Sequence, residues 1–186
     1  VDHGVLIETR GADGGPVPGL LARIDAKTKT GGGVARDAPL VVLVDHGTGS
    51  SAEVLTAALA WHDRALLIGE RTFGKNVMQQ LLPLGQEITL KLTVARSYAA
   101  GRPLPAAGID PDIEIPRTED GATSPRCLAA SPEDEGPIAV LPPPAQASDG
   151  ARTVAVTLLE RYRATSRAAL RKAIKDDLCP SEPLGR

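Results

Sequence analysis

The 186-residue sequence predicts an α/β fold, and three observations carry that prediction. Residues 40–44 (Leu-Val-Val-Leu-Val) and 65–68 (Ala-Leu-Leu-Ile) are short apolar runs without polar alternation, the pattern of parallel strands covered on both faces. Between them, from Ser50 to about Trp61, lie the helix formers Ala52, Leu55, Ala57, Ala58, Leu59 and Ala60. From Glu87 to Tyr98 the chain alternates, with Ile88, Leu90, Leu92 and Val94 set against Thr89, Lys91, Thr93 and Ala95. That is the period of a half-covered strand.

Taken in order, Val5-Leu6-Ile7 predicts a short strand, followed by a Gly- and Pro-rich loop. The run at 40–44 predicts a central parallel strand. The segment at 50–61 predicts a helix, and the run at 65–68 a second buried strand, together a βαβ unit with a right-handed crossover. The four aromatic residues, Trp61, Phe73, Tyr98 and Tyr162, leave the core to Leu, Val, Ile and Ala. A net charge of −2 supplies no pull toward nucleic acid or an anionic membrane. No apolar run is long enough for a membrane span. The chain begins at Val1 without Met or a signal-like segment, so it reads as a piece of a longer protein.

Three regions are expected. Residues 1–117 are dense in apolar runs and form the folded body. Residues 118–152 are a Pro-rich acidic linker: over 118–150 there are six prolines and six acids against the single base Arg126. Residues 153–178 are an amphipathic helix with Val154, Leu158, Tyr162, Thr165 and Ala169 on one stripe, and residues 151–178 carry seven bases against three acids. Cys127 and Cys179 are the two cysteines. Neither sits in a metal-ligand spacing, and their pairing is open.

The chemistry concentrates in two loops. The first is Asp45-His46-Gly47-Thr48-Gly49-Ser50-Ser51-Ala52-Glu53, a small-residue turn from strand into helix. It places Ser50 at a helix N-terminus, beyond the carboxyl end of a parallel strand, where open α/β sheets put their sites. The amide of Ser51 points out of the first helical turn and suits a developing oxyanion. Ser50-x-x-Glu53 is equally a capping box, which requires no catalysis. The second loop, Gly69-Glu70-Arg71-Thr72-Phe73-Gly74-Lys75, follows the neighbouring strand, so Lys75 is placed to reach Ser50. A lysine takes a proton only when neutral, so it needs a dry setting that lowers its pKa from about 10.4. Phe73 and the apolar strand ends are the candidates to provide that setting.

Over residues 40–115 these features resemble the C-terminal processing (tail-specific) peptidases. The matches are the apolar strand, the loop from Gly47 to Glu53, Arg64-Ala65, Gly69 to Lys75, Gln79, Thr93-Val94-Ala95-Arg96 and Gly108-Ile109-Asp110-Pro111-Asp112-Ile113. The resemblance implies a ClpP/crotonase-like α/β core, here a partial domain. It implies a serine endopeptidase that works through an acyl-enzyme without metal or cofactor. Ser50 would be the nucleophile, with Lys75, 25 residues on, as general base and Gln79 orienting it. It further implies unfolded or C-terminal peptide segments of proteins as substrates, an extracytoplasmic setting, and compatibility with homo-oligomers. Relatives carry an upstream Gly-Gly loop with a second oxyanion amide and usually a PDZ domain. Neither is present here, so the isolated chain is expected to be poorly active. The acidic loop position of some members is Trp61 in this sequence, and that role is not carried over.

Three other readings compete. The segment 69–75 has the spacing of a P-loop, but Asn76 replaces the hydroxyl that holds Mg²⁺ and Pro83 crowds the required helix. His46 and His62 offer a Ser-His-Asp alternative without a Gly-x-Ser-x-Gly elbow. A non-catalytic peptide-binding or scaffold fragment of the same fold is the third.

Overall fold

The computed structural model describes residues 4–20, 23–26, 38–85, 87–116, 126–128, 136–141 and 149–178. These fall into two compact units that exchange chain segments. The first draws on Val1–Lys29, Thr48–His62 and Phe73–Ile109, and the second on Thr30–Gly47, Asp63–Thr72 and Asp110–Arg186. The α/β class expected from the sequence is the class observed.

In the first unit β1 (Val5–Arg10), β2 (Arg23–Asp25), β5 (Val77–Pro83), β6 (Thr89–Ala99) and β7 (Arg102–Pro103) form an antiparallel sheet of order β2-β1-β6-β5, with β7 also on β6. Helix α1 (Ser51–Trp61) packs on β6 and β1. Many of the residues buried on these elements are small: Ala57, Ala58 and Ala60 on the helix beside Val54 and Thr56, Thr9 on β1, and Ala95, Ser97 and Ala99 on β6. Small side chains let helix and sheet approach closely. Strand β5 was not evident in the sequence, because Gln79-Gln80 and Leu81-Leu82 break the two-residue period. Pairing with β6 supplies the order that local pattern lacks.

The second unit holds β3 (Val41–Val44), β4 (Leu66–Gly69), β8 (Ile113–Glu114), β9 (Arg126–Cys127) and β10 (Ala139–Val140), in the order β3-β4-β8-β10-β9. All pairs are parallel except β10 with β9. The predicted parallel pairing of the 40–44 and 65–68 runs is present, with Val41 opposite Leu66. β4 and β10 are interior and fully buried. Among the described residues β3 lies at the sheet edge and exposes Leu43, so the expectation of a central strand at 40–44 is corrected.

The expected helix at 153–178 is two helices, α2 (Gly150–Arg161) and α3 (Arg167–Leu178). Asp149 caps α2 by accepting the Arg152 amide at 3.0 Å. The break between them changes which side chains face inward. Leu158 stays buried, but beyond the break Leu170 and Ile174 are the buried pair. With Leu66, Ile68, Ile113, Ile115, Ile138 and Ala155 they make the core of this unit. The described part of the 118–152 segment includes β9 and β10, so that stretch supplies sheet as well as connection. The remainder of the segment, and Cys179, lie outside the described residues.

A carboxylate stands at the centre of this unit. Asp112, fully buried, accepts the Leu67 amide at 2.8 Å and pairs with Arg167 and Arg171. Two bases of the cationic C-terminal segment are thus structural. Replacing Asp112 by Ala leaves two guanidinium groups without their buried partner. In urea denaturation Asp112→Ala is expected to cost about 3–5 kcal/mol. Arg71→Ala, which breaks only the more exposed Arg71–Asp110 pair, is expected to cost under about 1 kcal/mol. Equal effects would contradict this assignment.

Candidate functional site

Ser50 sits where the chain turns into α1, with φ 58° and ψ −120°. For a residue with a Cβ this is a strained conformation, costing about 1–3 kcal/mol, and such strain clusters at functional turns. The turn leaves Ser50 and Ser51 exposed at the positive end of the helix. Ser51, as the first helical residue, directs its amide out of that end.

Glu53 holds the site together. Its side chain is 1% exposed and collects three amides. Oε2 accepts from Ser50 N at 2.9 Å and from Lys75 N at 2.8 Å, and Oε1 accepts from Gly74 N at 2.7 Å. Ser50 N and Lys75 N therefore share one oxygen, and their separation cannot exceed the sum of those two distances. The two loops are pinned a second time where Phe73 N donates to Thr48 O at 2.9 Å. The capping-box reading of Ser50-x-x-Glu53 foresaw the bond to Ser50. Sequence reasoning missed the bonds to the second loop, because nothing local distinguishes a capping Glu from one that also receives a distant turn.

The Lys75 backbone is fixed from its other side too. Asn76, buried, donates from Nδ2 to Leu104 O at 2.8 Å, and its carbonyl accepts Ser97 N at 2.9 Å. Gly74 has φ 91°, and a Cβ there would run into the Ala106 carbonyl, so this position requires glycine. The Lys75 side chain is exposed, and among the described residues no hydrogen bond joins its amine to the Ser50 hydroxyl. Phe73 is 67% exposed. It does not form the dry setting the sequence suggested for Lys75. Gln79, on β5, donates to Thr93 Oγ1 at 3.4 Å. The structure thus brings the Ser50, Ser51 and Lys75 backbones together and sets Gln79 on the adjoining strand.

Two competing readings lose their footing on this geometry. The Gly74 and Lys75 amides, which a P-loop would turn toward phosphates, are occupied by Glu53, and a strand follows rather than a helix. The His62 ring is hydrogen-bonded at Nε2 to Val5 O at 2.7 Å, with no bond to Ser50. In the second unit, a cavity of about 330 Å³ lies beside the ends of β4 and β8. It is lined by His46, Glu70, Arg71, Asp110 and Glu114 among others, and by none of Ser50, Ser51, Lys75 and Gln79. Among the described residues no group of His, Cys, Asp and Glu has the arrangement of a metal site.

Comparison with known proteins adds an independent line. The model of peptidase family S41 matches residues 2–115. A carboxy-terminal-processing protease of Bartonella bacilliformis is 35% identical over 116 residues, covering 62% of this chain and 25% of that protein. A carboxyl-terminal-processing protease of Synechocystis is 48% identical over 65 residues, covering 35% of this chain and 15% of that protein. Among solved structures, a photosystem II D1 C-terminal processing protease is similar at 36% identity with a TM-score of 0.49, covering 61% of this chain and 28% of that one. The chain spans about a quarter or less of the length of these curated relatives.

The Glu53 arrangement makes a direct prediction. Glu53→Ala strands three amide donors and is expected to lower stability by about 2–4 kcal/mol, while Glu53→Gln, which keeps one carbonyl acceptor, is expected to cost less. Urea denaturation measures both, and an unshifted midpoint for Glu53→Ala would remove the clamp from the account.

Proposed function

Because the chain belongs to peptidase family S41, with 2–115 matched to the family, we propose that it carries the nucleophile and base of a carboxyl-terminal-processing endopeptidase. The reading rests on one observation. A serine held in a strained turn at a helix N-terminus shares a buried carboxylate oxygen with the backbone of Lys75.

In this reading the Ser50 hydroxyl attacks the carbonyl carbon of a peptide bond while the Lys75 amine, in its neutral form, takes the hydroxyl proton. The Ser51 amide stabilises the oxygen that becomes negative, alongside a second donor from upstream chain. Collapse of the tetrahedral species breaks the C–N bond, and Lys75 returns the proton to the departing amine. Water, deprotonated by Lys75, then hydrolyses the Ser50 ester and regenerates both groups. Gln79 orients the lysine from β5. The steps use no metal or cofactor.

Such chemistry suits unfolded or C-terminal segments of protein substrates, which enter a site extended. An extracytoplasmic location follows from the same family reading. Among the described residues no helix is long and apolar enough to cross a membrane.

The test uses the longer polypeptide that contains this chain, with an unstructured peptide as substrate. Ser50→Ala and Lys75→Ala are each expected to lower kcat/KM by about 10³-fold or more, and Gln79→Ala by a smaller factor. Retained cleavage in Ser50→Ala would overturn the assignment. Equal activity of the 186-residue chain and the longer protein would overturn the need for a second oxyanion donor, whose loss costs roughly 10²–10³-fold.

A further inference from the structure

Lys75 stands at the centre of a three-residue turn. Asn76 N donates to Gly74 O at 3.1 Å, a bond that closes a γ-turn around the lysine. Among the described residues, the non-glycine positions with positive φ are Ser50, Asp63 and Ala100. The turn at Lys75 is therefore of the inverse kind, common at strand ends. Strand β5, the first strand of the β5–β6 hairpin, begins two residues later with Val77 opposite Arg96.

The two sides of this turn are held by different side chains, all within the first unit. On the entry side Glu53 accepts the Gly74 and Lys75 amides. On the exit side the hold comes from Asn76, which is 8% exposed. Its Nδ2 donates to Leu104 O at 2.8 Å, and its carbonyl accepts Ser97 N at 2.9 Å. Leu104 N in turn donates to Ser97 O at 3.1 Å, so three distant stretches of chain close into one ring of bonds. The same stretch after β7 also backs the entry side, since a Cβ on Gly74 would strike Ala106 O and Gly108 N. The turn is seated on residues 104–108, and the Asn76 amide fastens it there.

We propose that Asn76 is a positioning residue for the general base, acting through the Lys75 backbone and not on substrate. The inference rests on the catalytic reading of Ser50 and Lys75 and names a further residue that this chemistry needs. The carbonyl bond to Ser97 is main chain and survives substitution, and the ladder from Val77 to Pro83 is made without the Asn76 side chain. What Nδ2 adds is a fixed direction for the chain directly after the lysine. That direction matters because a lysine amine rides on a flexible four-carbon stem, and its position is defined by the backbone it leaves. A displacement of about 1 Å at a reacting group can cost 10²-fold in rate.

The test uses the longer polypeptide that contains this chain, an unstructured peptide substrate, and separate values of kcat and KM. Asn76→Ala removes the side chain, and Asn76→Leu keeps a branched side chain of similar shape while removing the donor. Both are expected to lower kcat about 10- to 100-fold per folded molecule, with KM within about twofold of the parent. Urea denaturation of the same proteins gives the folded fraction. Parent-like kcat in Asn76→Leu, with Lys75→Ala inactive, would leave the catalytic reading standing and overturn the positioning role alone. Cleavage retained in Lys75→Ala would overturn both. A loss of activity that merely follows the unfolded fraction, or one carried by KM at constant kcat, would mark a structural asparagine and overturn the proposal.

Discussion

A buried carboxylate with three amide donors is the contact on which the site's geometry depends. Glu53 lies in the first turn of α1, where its charge is favoured by the unpaired amides of the helix end. Burying that charge is costly unless hydrogen bonds surround it. The donors that compensate come from both loops: Ser50 from the turn before the helix, Gly74 and Lys75 from the turn 21 and 22 residues downstream of Glu53. Charge-assisted bonds of this kind are individually stronger than neutral ones. They also fix direction, because all three donors must point at two oxygens. One side chain thereby sets the relative position of two loops that β3 and β4 merely deliver.

Asp112 does parallel work in the second unit. It too is an acidic residue with no exposure, but its partners are an amide of β4 and two arginines of α3. The difference follows from context. Glu53 sits at a helix end rich in free N–H groups, so backbone suffices. Asp112 follows Pro111 at the start of β8 and receives one amide of the sheet, that of Leu67, so side-chain cations complete its shell. The family-like stretch from Gly108 to Ile113 thus carries a structural anchor, and the cationic character of the C-terminal segment is in part the answer to it.

Much of this was legible in the sequence. The runs at 40–44 and 65–68 became the parallel pair, the stretch after Ser50 became α1, and the 87–98 alternation became β6, because each signal is local and strong. What was hidden depends on partners distant in sequence. The rank of β3 as an edge strand is set by what pairs beyond β4. The split into α2 and α3 arises where Arg167 N bonds Asp63 O at 2.9 Å, and no helical periodicity announces that bond. At the site, the loops, Ser50 and Lys75 could be singled out from spacing, whereas the second function of Glu53 and the anchoring of Asn76 required the fold. The alternation at 87–98 was read as a half-covered strand, and in the structure Ile88, Leu90 and Leu92 are exposed while Ala95 and Ser97 are buried.

Ser50 and the hairpin show the same constraint from opposite sides. A serine at φ 58° persists only where its surroundings outweigh the strain, and the bonds from Glu53 to both flanking loops are what hold it. Loosening the clamp would let the turn relax to ordinary dihedrals and draw the hydroxyl away from the helix end without touching either loop's sequence. The second loop, in turn, runs within two residues of Lys75 into β5, the outer strand of the hairpin. The backbone of Lys75 is thus held at one end by a buried carboxylate and continues at the other into a two-stranded ribbon. A two-stranded ribbon with an uncovered apolar face is marginally ordered alone. Whatever covers that face therefore also steadies the strand that carries Gln79, so packing at the hairpin and geometry at the serine are linked through a few residues of continuous chain.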